Sequence, residues 1–112
     1  MTCMANFLKN DVILVRYPFT DLSSIKVRPA VVVNSPHISQ DHIVVALTSQ
    51  VSNLLSGEFP LSDWAGAGLN VPTAVKRGIY TAHPLVIIRR IGKLSQRDAQ
   101  EIDRSLKHWL GL

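Results

Sequence analysis

Two side chains in this sequence have the chemistry to handle a phosphate, and each sits at the end of an apolar run. Arg28 stands directly before Pro29-Ala30-Val31-Val32-Val33, and Thr48 closes His42-Ile43-Val44-Val45-Ala46-Leu47. A guanidinium is a permanently charged fork that can hold a phosphate and stabilise charge developing on it. It cannot act as an ordinary base near neutrality, because its free pKa lies far above that range. Thr48 offers a hydroxyl, followed by Ser49 and Gln50. Each residue also has a plainer reading. Arg28 could be a rim arginine paired with Asp21 or Asp11, and the Thr48 hydroxyl could simply satisfy nearby backbone. If the two apolar runs pair as strands, their ends bring a cation and a hydroxyl to one surface point.

Other groups point less clearly to chemistry. His37, His42, His83 and His108 lie far apart, with no ligand spacing and no cysteine partners, so no metal site is expected. Gly66-Ala67-Gly68 lacks the third glycine and the strand-turn-helix setting of a dinucleotide fingerprint, and no phosphate-loop lysine follows it. It reads as a flexible loop. Arg89, Arg90, Lys93, Arg97, Arg104 and Lys107 place positive charge near the C-terminus, as a solvated face or as one wall of a nucleic-acid groove. Arg89 and Arg90 must point to opposite faces of a strand, so only one of them can line a given groove. The whole chain carries twelve Lys plus Arg against eight Asp plus Glu, a formal charge of +4. That surplus suits a polyanionic partner without establishing one.

The elements that must position Arg28 and Thr48 follow from period and punctuation. Asn10 and Asp11 open a strand over Val12–Tyr17, which Pro18 ends. Thr20-Asp21-Leu22-Ser23-Ser24-Ile25-Lys26 is polar and rich in turn formers, a loop leading to the strand that begins at Arg28. Pro29 cannot donate to a ladder and biases Arg28 towards extended backbone, which places the pair at a strand's first residue. After the turn Asn34-Ser35-Pro36 comes the strand from His42 to Leu47. Further strand signal lies near Glu58–Leu61, Thr73–Val75, Ile79–Ala82 and Val86–Ile91, with Gly78, Pro84 and Gly92 as punctuation. Between them, 63–70 is an irregular excursion anchored by Trp64. Ser95-Gln96-Arg97-Asp98 has capping-box spacing and opens a helix whose apolar face is Ala99, Ile102, Leu106, Trp109 and Leu110, ended by Gly111. Short strands followed by one late amphipathic helix predict a mainly β fold with added α, a small curved antiparallel barrel.

At 112 residues the chain reads as one domain spanning 1–112, large enough to bury a core without disulfides or metal. A lone Cys3 suits a reducing compartment. Neither a signal peptide nor a membrane-spanning run is visible, so a cytoplasmic location is expected.

Four segments together resemble the PemK/MazF family of type II toxin-antitoxin toxins. They are Asn10-Asp11-Val12-Ile13-Leu14-Val15, Val27-Arg28-Pro29-Ala30-Val31-Val32-Val33, Val45-Ala46-Leu47-Thr48-Ser49-Gln50 and Ile88-Arg89-Arg90-Ile91-Gly92-Lys93-Leu94-Ser95. The match runs in order from about Asp11 to Leu110. Arg-Pro before an apolar strand, followed by a strand ending in Thr, is its most specific part. The resemblance implies an SH3-like barrel, a homodimer, and a sequence-selective endoribonuclease that cuts single-stranded RNA without metal or other cofactor. On this resemblance Arg28 and Thr48 are the catalytic residues. The substrate's own 2′-hydroxyl attacks the neighbouring phosphate, leaving a cyclic phosphate and a 5′-hydroxyl end. Arg28 stabilises the phosphorane and is a candidate proton relay, while Thr48 holds a nonbridging oxygen. Thr20, Ser23, Ser24 and Lys26 are then the RNA-contacting residues of a gating loop, and Ser49 and Gln50 read bases. The better-known members carry a Gly before the opening Asp and a longer loop before Arg-Pro, where this chain has Asn10 and the short Asp21–Lys26 stretch. The partner implied is an antitoxin whose acidic, disordered tail covers the RNA groove, with operator DNA bound only through that antitoxin. Two other functions use the same barrel: an inhibitor of a protein such as DNA gyrase, and a nucleic-acid-binding module without turnover.

Overall fold

The computed structural model describes residues 7–18 and 25–112. Six strands, β1 (Asp11–Pro18), β2 (Ile25–Val32), β3 (His42–Thr48), β4 (Phe59–Pro60), β5 (Ala74–Ala82) and β6 (Ile87–Lys93), precede a single long helix, α1 (Gln96–Leu110). They form one antiparallel sheet in the order β4-β5-β3-β2-β1-β6. The architecture is mainly β with added α, as the sequence predicts. Hydrogen bonding does not close the sheet, and β4 and β6 are its edges.

The continuous apolar runs arise because the central strands are buried on both faces. Val12, Val31, Val45 and Val75 face α1 and pack with Leu47, Leu61, Ala67, Leu94 and Ile102. On the opposite face Ile13, Val15, Ala30, Val32, Val44, Ala82 and Ile87 form a second core. Cross-strand pairing maintains the alternation, with Val31 opposite Val45 on one face and Val32 opposite Val44 on the other. Burying Ile102 completely contributes about 2 kcal/mol towards holding α1 on the sheet.

The element boundaries depart from the sequence reading where pairing partners are available. β2 begins at Ile25, not Arg28, because β1 continues far enough for Pro18 to pair with Ile25 and Tyr17 with Lys26. The two segments expected around Thr73–Val75 and Ile79–Ala82 are one strand running through Gly78, and its pairing with β3 shifts register between Val45 and Leu47. Gly92 lies within β6, because the 63–69 excursion packs directly over it. A Cβ on Gly92 would strike the Ala67 carbonyl oxygen, and one on Gly68 would strike the Ile91 carbonyl oxygen. Gly66-Ala67-Gly68 is therefore packed against the sheet, with Ala67 buried in the core. Val86 closes a short 3-10 turn, Pro84–Val86, before β6.

Ser95 caps α1 by accepting the Asp98 N–H, and Gly111 ends it in the left-handed conformation at φ 71°. The Asp98 carboxylate does not reach back as a capping box implies. It is buried and accepts the backbone N–H groups of Ser62 and Asp63, tying the helix to the start of the excursion. Leu110, expected on the apolar face, is 56% exposed, whereas Ser105 is buried and donates to the Gly57 carbonyl. The Trp109 indole N–H donates to the Ser56 carbonyl. No helix of the described residues is long and apolar enough to cross a membrane.

Candidate active site

Arg28 and Thr48 belong to adjacent strands whose paired residues stop short of both. Val32, Val31 and Ala30 pair with Val44, Val45 and Ala46, and extending that register by two residues sets Arg28 opposite Thr48. The Val33 N–H donates to the Ile43 carbonyl, so alternate pairs along this ladder are the hydrogen-bonded ones. Pro29 and Leu47 occupy the next such position, and Pro29 has no N–H to give. The ladder ends there. β2 remains paired with β1, Arg28 lying opposite Val15, while β3 continues along β5, Thr48 opposite Ala74. A cavity of about 280 Å³ lies where β2 and β3 stop pairing, lined by Arg28, Pro29, Leu47, Thr48, Ser49, Leu69, Val71 and Thr73.

The polar groups of this cavity have definite hydrogen-bonding states. The Thr48 hydroxyl oxygen accepts the Gln50 backbone N–H at 3.0 Å, which leaves its own proton available to donate. The Thr73 hydroxyl donates to the Val71 carbonyl at 2.9 Å and keeps acceptor capacity only. Arg28 is exposed and has no ion pair among the described residues. The alternative partner Asp11 is fully buried, accepts the Leu8 N–H at 2.8 Å and lies 3.7 Å from Arg90. Asp21 lies outside the described residues.

Of the other candidates, Ser49 lines the cavity, whereas Lys26 and Gln50 do not. Lys26 is on β2, two residues before Arg28, and the Gln50 side-chain amide is directed to the Ser52 hydroxyl at 3.5 Å. Thr20, Ser23 and Ser24 lie outside the described residues. Sequence reasoning does not single out Leu69, Val71 or Thr73 as site residues; the alternation of Leu69 and Val71 between turn formers is the only signal they offer.

Three histidines have local structural roles. His37 engages the Ser39 hydroxyl, His83 accepts the Leu85 N–H, and His108 meets the Ser56 hydroxyl. His42 is buried, with its ring edge-on to Phe7, and burial holds its pKa below 6.5 against the opposing pull of Asp41 and Asp11. Among the described residues no three His, Cys, Asp or Glu side chains cluster in a way that could hold a metal ion.

A family model described as PemK-like, MazF-like toxin of type II toxin-antitoxin system matches residues 9–110. The chain belongs to this family. Among solved structures, the Mycobacterium tuberculosis toxin MazF-mt6 superposes with a TM-score of 0.72 at 22% identity, covering 91% of this chain and 97% of that one. An endoribonuclease in complex with its cognate antitoxin from a mycobacterial species gives 0.72 at 19% identity, with 95% and 96% covered. MazE-MazF from Deinococcus radiodurans gives 0.77 at 12% identity, with 96% and 98% covered. At these identities the likeness establishes the MazF-like fold. No curated protein sequence matches the chain significantly. The PemK/MazF match spans both β2 and β3, so Arg28 and Thr48 fall inside it.

Proposed function

We propose that this PemK/MazF-family chain is a single-domain endoribonuclease toxin that cuts single-stranded RNA at the cavity between β2 and β3. The observation that carries this reading is the lining of one cavity by Arg28, Thr48 and Ser49. Arg28 engages the scissile phosphate, and Thr48 donates its uncommitted proton to a nonbridging oxygen. The ribose 2′-oxygen attacks the adjacent phosphorus as its proton passes to solvent, the P–O5′ bond breaks with its electron pair on O5′, and O5′ takes up a proton from solvent, so that a 2′,3′-cyclic phosphate and a 5′-hydroxyl result. Negative charge builds on the phosphorane oxygens in between, and a fixed guanidinium lowers that barrier without reorganising. Positioning and electrostatics suffice for this chemistry, so the reaction is written without a metal or cofactor.

A chain of formal charge +4 suits both RNA and an antitoxin with an acidic disordered tail that competes for the same groove. Inhibition by such a partner is supported by the solved mycobacterial relative, an endoribonuclease bound to its cognate antitoxin. The toxin acts in the cytoplasm as a homodimer, with operator DNA contacted through the antitoxin.

The test is incubation of the purified protein with a long RNA in EDTA, followed by mapping of the ends. Cleavage at recurrent short sites with 5′-hydroxyl ends supports the reading. Intact RNA together with inhibited DNA gyrase overturns it in favour of a protein-directed toxin.

A further inference from the structure

The cavity holding Arg28 and Thr48 extends well beyond what a phosphate needs. Its other side is apolar, formed by Leu47 near the end of β3, by Leu69 at the end of the excursion and by Val71 from the connection to β5. Thr73, almost fully buried, also lines the cavity. We propose that this side is a nucleobase subsite, taking one base that flanks the scissile phosphate, with Thr73 favouring a base that presents an amino group. The proposal rests on the endoribonuclease reading and adds a specificity determinant to it.

Three observations support the assignment. The first is composition: aliphatic side chains beside a cation suit a base whose faces are apolar and whose sugar carries a phosphate. The second is rigidity. Asp98 accepts the Ser62 and Asp63 amides, the Leu69 N–H donates to the Trp64 carbonyl, and the Leu61 N–H donates to the Thr73 carbonyl. Gly68 and Gly92 let the excursion lie directly on β6, so this wall is built in advance. The third is the state of the Thr73 hydroxyl. Thr73 lines the cavity although only 3% of it is exposed, and with its proton committed to the Val71 carbonyl its hydroxyl can only accept. Cytosine and uracil have the same shape and differ there by an amino donor against a carbonyl acceptor. Two acceptors facing each other repel, and uracil is the base that loses.

The experiment compares kcat/KM for matched oligonucleotides carrying C or U at each position flanking the mapped cut, in the wild type, Thr73→Val, Thr73→Ser and Val71→Ala. Val71 is half exposed, so its truncation tests the wall without endangering the fold. At one flanking position the wild type is expected to favour C over U by about tenfold, the worth of one neutral hydrogen bond. Thr73→Val abolishes the ratio, Thr73→Ser retains it, and Val71→Ala raises KM at that position with kcat little changed. Wild-type cleavage with the same ratio in Thr73→Val and the same KM in Val71→Ala overturns the subsite while sparing the nuclease reading. No wild-type cleavage at all overturns that reading, and the subsite with it.

Discussion

Continuing the β2–β3 register one residue past its last pair, Ala30 and Ala46, sets Pro29 opposite Leu47 at a position where an antiparallel ladder would exchange two hydrogen bonds, and one of the two donors does not exist. The next pair outward on the same register is Arg28 and Thr48. A fully zipped ladder would bring these two strand ends to pairing distance and fill the space between them. The β2–β3 pairing ends before this pair, and Arg28 and Thr48 line a cavity there.

Restoring the donor tests this directly. In Pro29→Ala the new amide faces Leu47, so the ladder should extend. The expected result is a backbone amide at position 29 protected from hydrogen exchange, a stability change within about 1 kcal/mol, and cleavage reduced by about tenfold or more as Arg28 is drawn in. A fully exchanging amide with unchanged cleavage would show that the proline is incidental.

Gly92→Ala should be among the most damaging single substitutions in the chain. The added methyl group meets backbone of the packed excursion, which cannot swing aside as a side chain would. Urea unfolding is expected to show a loss of about 2 kcal/mol or more, through displacement of the Ala67–Leu69 segment. Wild-type stability would mean that the excursion rests only loosely on β6.

Asp98→Ala removes the acceptor shared by the Ser62 and Asp63 amides and leaves part-buried donors without a partner. A destabilisation of about 1–3 kcal/mol follows from their desolvation. Asp98→Asn should recover part of it, because its side-chain oxygen can still accept. Equal effects of the two variants in chemical denaturation would point to charge at the helix N-terminus instead.

His42 makes stability depend on pH in a definite direction. Its pKa in the folded chain is depressed by burial below the ordinary 6.5, so the unfolded chain takes up a proton first as pH falls. Stability is fully present above 6.5 and declines as pH falls from there to the depressed folded value. Melting temperature measured across this window should fall more steeply for the wild type than for His42→Gln. Parallel profiles would remove His42 as the cause.

Much of the fold is legible in the sequence because it rests on local physics. The valine runs announce strands buried on both faces, Ser95 and Gly111 mark the ends of α1, and Pro29, unable to donate, lies where β2 stops pairing with β3. The β2 start at Ile25 is not legible, because it depends on how far β1 continues as a partner. Gly92 reads as punctuation because close approach of Ala67 is a tertiary fact with no local signature. Leu69, Val71 and Thr73 escape notice for the same reason: about twenty residues or more separate them from Thr48 in sequence, and only the path of the excursion brings them to it. The Asp98 carboxylate follows this pattern too, turning from its own helix to the nearer orphan amides of Ser62 and Asp63.

If Arg28 and Thr48 act on one phosphate, a double-mutant cycle on the cleavage rate reveals it. Single-turnover rates would be taken in EDTA for the wild type, Arg28→Ala, Thr48→Ala and the double variant. The expected result is a fall of about a hundredfold or more for Arg28→Ala, a smaller fall for Thr48→Ala, and a double variant scarcely slower than Arg28→Ala alone, because groups on one phosphate act as a unit. A double variant whose loss equals the product of the single losses would place the two residues on separate parts of the substrate and contradict the account.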